Sequence, residues 1–538
     1  MLLHHLLDQA AQRRPEADAV RCDGESLSWG ELYRRANGIA QALQETGLGR
    51  RDRVAVLLGK GLRVPASFYG ALAAGGVLVP IDPKSPAEQI ARILTATGAS
   101  HLVTEPQRAK TVRQALDAMD QTGGLETPRV LGLETEDEPL PWSSLLEQAQ
   151  DRPPEASVID TDPVYILHTS GSTGVPKLIQ HTHRSALSFA QWAAKEYSLT
   201  PDDRLSNHSS HHTCFATFDY YAAARAGACT VILTPAVMMM PPSLATLLER
   251  ERVSVWYSVP TALVHLSLRG TLEERDLSAL RWVLFAGETF PAKHLQRLMQ
   301  QLPEARFSHV YGSTEVNVCT YYHLPDYHLP GSPTSDALPP DPLPIGRPCS
   351  NARALVVDGD LRPVADGEEG ELLIRGSTVM SGYWGDPERN RQVLVRRPAD
   401  GGLDETYFRT GDRVRVQEDG NLAFVARADL QIKVRGHRVE LGEIETALLS
   451  LPGIEEAAAF ALPDGESSWT LRAAVVVATG SDGRSDREIV AGLKQKLPLQ
   501  ALPARILRLP ALPRTPTGKV DRKALRRQAE AEEAAQDG

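Results

Sequence analysis

A chain of 538 residues, 42% hydrophobic and 23% charged, has ordinary soluble-globular composition and is long enough for two or more domains. Its net charge of −10 without any long basic run points away from nucleic acid and from anionic membranes, and no apolar segment approaches the ~20 residues needed to span a bilayer. The five cysteines (Cys22, Cys214, Cys229, Cys319, Cys349) are odd in number, scattered and without metal-type spacing, which predicts a reducing, cytoplasmic setting.

In chain order, "MLLHHLLDQAAQRR" reads as a short amphipathic helix, since His4, His5 and Asp8 interrupt what would otherwise resemble a signal peptide. Apolar strand-like runs then alternate with amphipathic stretches: "RVAVLLG" before a helix from Val64, "TVILT" before one around Leu244, "VSVWYSV" before one around Val264. That alternation predicts an α/β fold with mostly parallel sheets. "RWVLFAGET" and "FSHVYGSTE" each run a buried strand into a Gly-containing turn, where ligands gather at strand C-terminal ends. From Val356 short strands with Gly and Asp turns predict a β-rich subdomain. After Asp429 a smaller α+β segment follows, with helices at "LGEIETALLSL" and "REIVAGLKQKL" and strands at "IEEAAAFAL" and "RAAVVVA". The expected layout is an N-terminal core over 1–428 with the β-rich part at about 350–428, a mobile C-terminal domain over 429–525, and a charged helical tail over 526–538.

The stretch "YILHTSGSTGVPK" carries hydroxyls and glycine N–H groups that could converge on a phosphate chain, with Lys177 adding positive charge. It lacks the Walker spacing, so on its own it is equally a Ser/Gly-rich surface turn. The ordered set "LHTSGSTGVPK", "FAGE", "YGSTE", "GYWGDPERN", "YFRTGD", "ARADLQIKVRGHRVELGEIE" and "PRTPTGKVDRKAL" resembles the acyl-adenylate-forming superfamily, most of all the amino-acid adenylation domains of nonribosomal peptide synthesis. The resemblance covers nearly the whole chain, "LSWGELYRRANGIAQAL" and "GALAAGGVLVPIDP" included.

The resemblance implies that a carboxylate attacks the α-phosphate of ATP, releasing pyrophosphate and leaving an acyl-AMP. It assigns Thr169, Ser170, Gly171, Ser172, Thr173, Gly174 and Lys177 to the ATP phosphates. Lys519 would meet the substrate carboxylate and the α-phosphate as a point charge. Glu315 would hold Mg²⁺, Thr314 would sit beside the phosphate and Tyr311 would stack on adenine, with Gly287, Glu288, Gly312 and Ser313 around the nucleotide. Asp412 would accept the ribose hydroxyls, with Arg427 adding a second contact. Asp429 would be the hinge about which the C-terminal domain turns between half-reactions, so that Lys519 leaves the site and "VRGHRVELG" replaces it.

Only about twenty residues follow Lys519 and none is a serine, so the chain is expected to be free-standing and to load the phosphopantetheine thiol of a separate carrier protein. It is similar in this to stand-alone prolyl-AMP and D-alanyl-carrier ligases. CoA is the alternative acceptor. A catalytically silent nucleotide-binding regulator and a luciferase-like oxidation are other classes of reading; the presence of Lys519, Glu315, Asp412 and the Thr169–Lys177 loop speaks against the first.

The departure from the family lies in "HHTCFATFDYYAAARAGACTVIL". Relatives place an ammonium-binding aspartate thirteen residues before the glycine of an "AGA"-type turn, and counting back from Gly227 reaches Cys214. Putting Asp219 there instead needs a five-residue deletion, which rotates the helix face by more than a turn. Other pocket positions implied by the motifs are Phe215, Phe218, Tyr257, Leu284, Ala286, Val310, Val318 and Cys319. His211 and His212 either gate the site or cap a helix. A thiol among apolar residues predicts a small to medium neutral carboxylic acid, or an acid whose amine lies elsewhere, because an α-ammonium needs a carboxylate or several acceptors once buried; the alternative is an amino acid whose amine is received by Asp219 or by backbone carbonyls.

Overall fold

The computed structural model describes residues 1–122, 126–133, 141–147, 151–169, 176–325, 339–398, 402–427, 431–434, 437–464, 468–477, 485–514 and 520–537. Ser170 to Gly174, Asp429 and Lys519 therefore lie outside the described residues.

The N-terminal domain is built on two large sheets. In the first, Arg53–Leu57 pairs in parallel with Val77–Pro80 and Ala99–Thr104, and Val77–Pro80 leads to Pro163–Thr169. These strands read as continuous apolar runs because helices cover both faces, which leaves no polar side to alternate with. The helix Trp29–Glu45 starts at Ser28, whose side chain exchanges hydrogen bonds with Glu31, and it packs with Arg63–Ala73 on the cluster of Leu32, Ile39, Val64 and Leu72. Pro163–Thr169 and Lys177–Thr182 form an antiparallel pair, with Thr169 opposite Lys177 across the Ser/Gly stretch.

The second sheet has a parallel centre of Cys229–Ile232, Arg204–Asn207, Val255–Ser258, Trp282–Phe285 and Arg306–Tyr311, in that spatial order. The loops after Asn207, Phe285 and Tyr311 leave from strand C-terminal ends and face one cavity. The β-rich part is an antiparallel sheet in which Asp404–Val416 pairs with Glu369–Gly376, Leu394–Pro398 and Leu422–Arg427.

The small C-terminal domain packs the helix Leu441–Leu449 and the helix Asp486–Lys496 on a sheet of Ile454–Asp464, Ser468–Val477 and Arg505–Arg508, through Ile444, Leu448, Val475 and Leu493. Two features go beyond the sequence reading. A hairpin, Gln431–Val434 with His437–Glu440, precedes this domain and reaches the N-terminal cavity. The segment after Cys214 is also not one α-helix: Phe215–Thr217 gives way to a π-helical turn, Phe218–Ala222, before Ala223–Ala226. Turns of this kind swing side chains off the α-helical face, and this one carries Asp219.

Candidate active site

One cavity of about 140 Å³ gathers residues from both domains. Its walls include Thr169, His212, Cys214, Phe215, Tyr257, Ala286, Gly287, Tyr311, Gly312, Ser313, Thr314, Val318, Asp412 and Arg427, all expected from the sequence, His437 and Arg438 from the stretch expected to replace Lys519, and also Asp82, His168 and Asn317, which were not expected.

At one end Tyr311, from the strand Arg306–Tyr311, donates its hydroxyl hydrogen bond to Asp412, and Arg427 Nη1 donates to Asp412 Oδ1 at 2.7 Å. Asp412 and Arg427 are register partners on neighbouring strands, so the β-sheet fixes their separation. Burial and the Asp412 charge together push the Tyr311 phenol well above its ordinary range, keeping it a hydrogen-bond donor. Gly312 lies where a Cβ would come 1.6 Å from the Asn317 carbonyl, so only glycine allows the chain to fold back and bring Ser313 and Thr314 to the wall. His181 further ties this turn by hydrogen-bonding the Thr314 carbonyl through Nε2 at 2.8 Å.

The other end is apolar. The Phe215 and Tyr257 rings stack at 4.7 Å, and Ala286 and Val318 complete the surface. Cys214 faces this space, with Thr314 Oγ1 at 3.9 Å from its sulfur. Gly287 has φ +96, a conformation suited to glycine, and a Cβ there would point at the Phe215 ring at 3.8 Å.

Asp219 is wholly buried on the far side, accepting from Asn207 Nδ2 at 2.9 Å and sensing Lys60, whose Nζ donates to the Asn207 and His208 carbonyls at 2.6 and 2.7 Å. Burial pushes the Asp219 carboxyl up and the Lys60 amine down. The π-helical turn thus gives Asp219 to a structural pair, and Cys214 holds the cavity position.

Four expected pocket residues do not form the wall. Leu284 and Val310 sit in the cluster behind Tyr257 and Ala286, and Phe218 meets Tyr257 edge-on at 5.3 Å from within that cluster. Cys319 belongs to a different cluster, beside Ile179 and Phe408, with its sulfur 3.6 Å from the Tyr311 carbonyl. Glu288 likewise turns away from the cavity: its carboxylate accepts from the Thr261 hydroxyl at 2.6 Å and from the Thr261 N–H at 3.2 Å.

The phosphate-side residues meet the C-terminal hairpin. Arg438 Nη1 donates to both Glu315 oxygens at 2.8 and 2.9 Å, Tyr383 donates to the same carboxylate at 2.8 Å, and Lys177 Nζ donates to Glu440 at 2.5 Å. Burial alone would raise the Glu315 carboxyl, but Arg438 and the hydroxyls of Ser313 and Tyr383 outweigh it and hold it down at about 2. An ionised carboxylate beside hydroxyls fits a Mg²⁺ that keeps its waters and phosphate ligands, not an all-protein cage; no group of three or more His, Cys, Asp or Glu suited to a metal occurs among the described residues. The flanks of Lys519 pack elsewhere: Arg514 pairs with Glu456, and Val520 joins the cluster of Ala458 and Phe460. Among the described residues no helix is long and apolar enough to cross a membrane.

Both domains contribute to one cavity with a charged, hydroxyl-rich end and an apolar end. The AMP-binding enzyme family matches residues 7–384, and the AMP-binding enzyme C-terminal domain matches 443–519; the chain belongs to this family, and it is an enzyme. It is 32% identical over 98% of its length to an L-proline–[L-prolyl-carrier protein] ligase of Pseudomonas fluorescens, spanning 99% of that protein. It is 30% identical over 97% of its length to a part of gramicidin S synthase 2 of Aneurinibacillus migulanus, of which it spans 11%. Its fold matches that of the amide bond synthetase McbA from Marinactinospora thermotolerans with a TM-score of 0.83, 24% identity, and 98% and 99% of the two chains covered.

Proposed function

We propose that the protein uses ATP to convert a small carboxylic acid without an α-ammonium group into its acyl-AMP, and then passes the acyl group to the phosphopantetheine thiol of a separate carrier protein. The observation that carries this reading is the two-ended cavity, in which the Tyr311–Asp412–Arg427 cluster and the Cys214–Phe215–Tyr257 surface meet at Thr314 and Gly287. A nucleotide at the first end brings its α-phosphate to the carboxylate of an acid whose body fills the second.

In the first half-reaction a carboxylate oxygen attacks the α-phosphorus and pyrophosphate leaves with the electron pair of the broken P–O bond. Negative charge gathers on the α-phosphate and the leaving group, and fixed cations that meet it lower the barrier. Lys519 serves there, Lys177 and the Ser170–Gly174 loop hold the β- and γ-phosphates, and Glu315 would hold Mg²⁺. When bound, the ion neutralises phosphate charge. Asp412 accepts the ribose hydroxyls and Arg427 keeps its carboxylate oriented.

The hairpin pairs Arg438–Glu315 and Lys177–Glu440 occupy the groups the first half-reaction needs. That supports two arrangements of the C-terminal domain about Asp429, with the arrangement described above belonging to acyl transfer. The substrate class rests on Cys214. The carboxylates among the described cavity residues are Asp82 and Asp412, and both face other groups, so a buried ammonium at Cys214 would lack a counter-charge.

Pyrophosphate release from ATP, measured against a panel of carboxylic acids and followed by mass analysis of a pantetheinylated carrier, tests the function. Release that depends on a carboxylic acid and a carrier gaining the acyl mass are expected. An absence of acid-dependent release across the panel would contradict it.

A further inference from the structure

A branch of the cavity remains unused by the nucleotide and the acid. Its wall runs from Ser85 and Gln89, on and before the helix Ala87–Thr97, across to Pro498, Gln500 and Ala501 of the C-terminal domain. Between this branch and Cys214 stands a group of titratable side chains brought from four separate segments: Asp82, His168, His212 and His437. The two rings of His168 and His212 lie parallel, 5.8 Å apart with an interplanar angle of 6°. Asp82 Oδ1 accepts from the Lys84 N–H at 2.9 Å, which leaves Oδ2 facing His212 Nε2 at 3.8 Å. His212 Nδ1 is buried and has no hydrogen-bond partner among the described residues.

We propose that His212 is the base that removes the proton from the acceptor thiol, and that Asp82 positions it and balances the imidazolium that forms. The proposal rests on the reading that the acyl group goes to a thiol. Nε2 is the ring nitrogen near Asp82, at 3.8 Å, so a proton kept on Nε2 by the carboxylate charge leaves Nδ1 as the acceptor. A thiol entering along Ser85 and Gln89 shares the cavity that His212 lines with Cys214 and Thr314.

The charges around the ring fit a base that rests neutral. Burial first, and then Lys60 and Lys84, lower the His212 pKa, while Asp82 opposes them. The other rings lining the same space are also held neutral by burial, His168 at about 3 and His437 at about 4, as is the adjacent His211 at about 3. Burial pushes the Asp82 carboxyl up, but His212, the Lys84 N–H, His437 and His168 outweigh it, so the carboxyl stays below the usual range and ionised. Proton transfer therefore turns an ion beside a neutral ring into a compensated pair across a dry cavity, where the Coulomb term is large.

The step balances. The thiol S–H bond breaks and its proton goes to Nδ1; the sulfur pair forms the S–C bond to the acyl carbon; the C–O bond to phosphate breaks, and AMP leaves with that electron pair. An alkyl thiol is mostly un-ionised near neutral pH and only the thiolate attacks, which is why a base helps.

The test compares acceptors that differ in need of a base. Acyl-adenylate is formed in situ from the acid selected by pyrophosphate release, and its single-turnover transfer at about pH 8 is followed to pantetheine and to trifluoroethanethiol, which is largely ionised there. Rate constants for His212→Gln and Asp82→Asn are taken from the decay of the adenylate each preparation has already formed, so that any loss of folded protein or of adenylation changes the amplitude and not the rate. With pantetheine, His212→Gln is expected to fall about a hundredfold and Asp82→Asn about tenfold; with trifluoroethanethiol both deficits should shrink to within about threefold. Equal deficits with both thiols would overturn the proposal and leave the pair a structural role. A wild-type enzyme that forms adenylate yet transfers to neither thiol would overturn the proposal together with the thiol reading beneath it.

Discussion

The apolar end of the cavity and its phosphate-facing side are built on opposite physical terms. Phe215, Tyr257, Ala286 and Val318 hold their places by packing within one domain, continuous with the buried cluster of Phe218, Leu284 and Val310. Glu315, Lys177, Arg438 and Glu440 hold theirs by charge across two domains, with every side chain of the four at most 13% exposed. Packing is dense and resists change, so under the proposed function the apolar end would select its ligand by shape and by the absence of charge. Buried ion pairs are worth little net once both partners are satisfied, but cost several kcal/mol when one is removed. The ionic side can therefore exchange its partners, Arg438 for a metal or Glu440 for a phosphate, at small net cost. A rigid selector lining the cavity and a charged clamp in the neighbouring pocket, joined by Arg438 and Ser313, would serve the proposed two successive reactions on one acyl group.

The largest effect that would sharpen this contrast is on Lys519. Lys519→Ala should slow adenylate formation by about a hundred- to a thousandfold, since one charged transition-state contact is worth about 3–4 kcal/mol. Transfer from preformed adenylate should survive, and an equal fall in both half-reactions would break the two-arrangement reading. Next comes the clamp itself. Arg438→Ala leaves the buried Glu315 carboxylate uncompensated in the transfer arrangement, so thioester formation should drop by about tenfold or more while pyrophosphate release holds or rises. Rapid-quench measurement of each half-reaction separates the two outcomes.

At the selector, Cys214→Asp places an unpaired carboxylate among Phe215, Tyr257 and Val318, and should weaken activation of the native acid by about tenfold, read as kcat/KM in pyrophosphate release. The smallest effect concerns Glu443, on the helix Leu441–Leu449, whose Oε2 has no partner among the described residues. Burial pushes its carboxyl up from 4.5 to about 7 in the folded protein, against the opposing pull of Arg92. A raised folded value means its contribution to stability is fully present below about 4.5 and is lost as the pH rises through about 7, a span worth on the order of 3 kcal/mol at most. Calorimetric melting between about pH 5 and pH 8 should fall by a few degrees in the wild type and by less in Glu443→Gln.

How much of this the sequence reveals divides along the same line. Tyr311, Thr314, Asp412 and Arg427, expected from short motifs, are legible as cavity residues, because such motifs fix charges and hydroxyls at set places on neighbouring loops and strands. Cys214 is legible by counting from Gly227, because the number of residues between the two does not depend on the shape of the helix. The π-helical turn at Phe218–Ala222 is not, and it is what carries Asp219 toward Asn207. Leu284 and Val310 show the limit of strand alternation: residues on the cavity-facing side of a strand can still lie one pleat too deep, behind Ala286 and Tyr257. Nothing local announces that Asp82, His168 and His212 meet, because three separate segments bring them together. Tyr383 was within reach, as part of "GYWGDPERN", but its hydrogen bond to Glu315 spans 68 residues of chain.

The central claim, that the apolar end takes an acid with no α-ammonium, is tested most directly by pyrophosphate exchange with matched pairs, each an α-amino acid and its des-amino analogue: proline and cyclopentanecarboxylic acid, alanine and propionic acid, phenylalanine and phenylpropionic acid. Each pair holds shape nearly constant and changes only the charge that meets Cys214. The account predicts the higher kcat/KM for the des-amino member of whichever pair fits the cavity, by about tenfold or more, the cost of leaving an ammonium unpaired in an apolar site. An α-amino acid activated far better than its des-amino partner would contradict it.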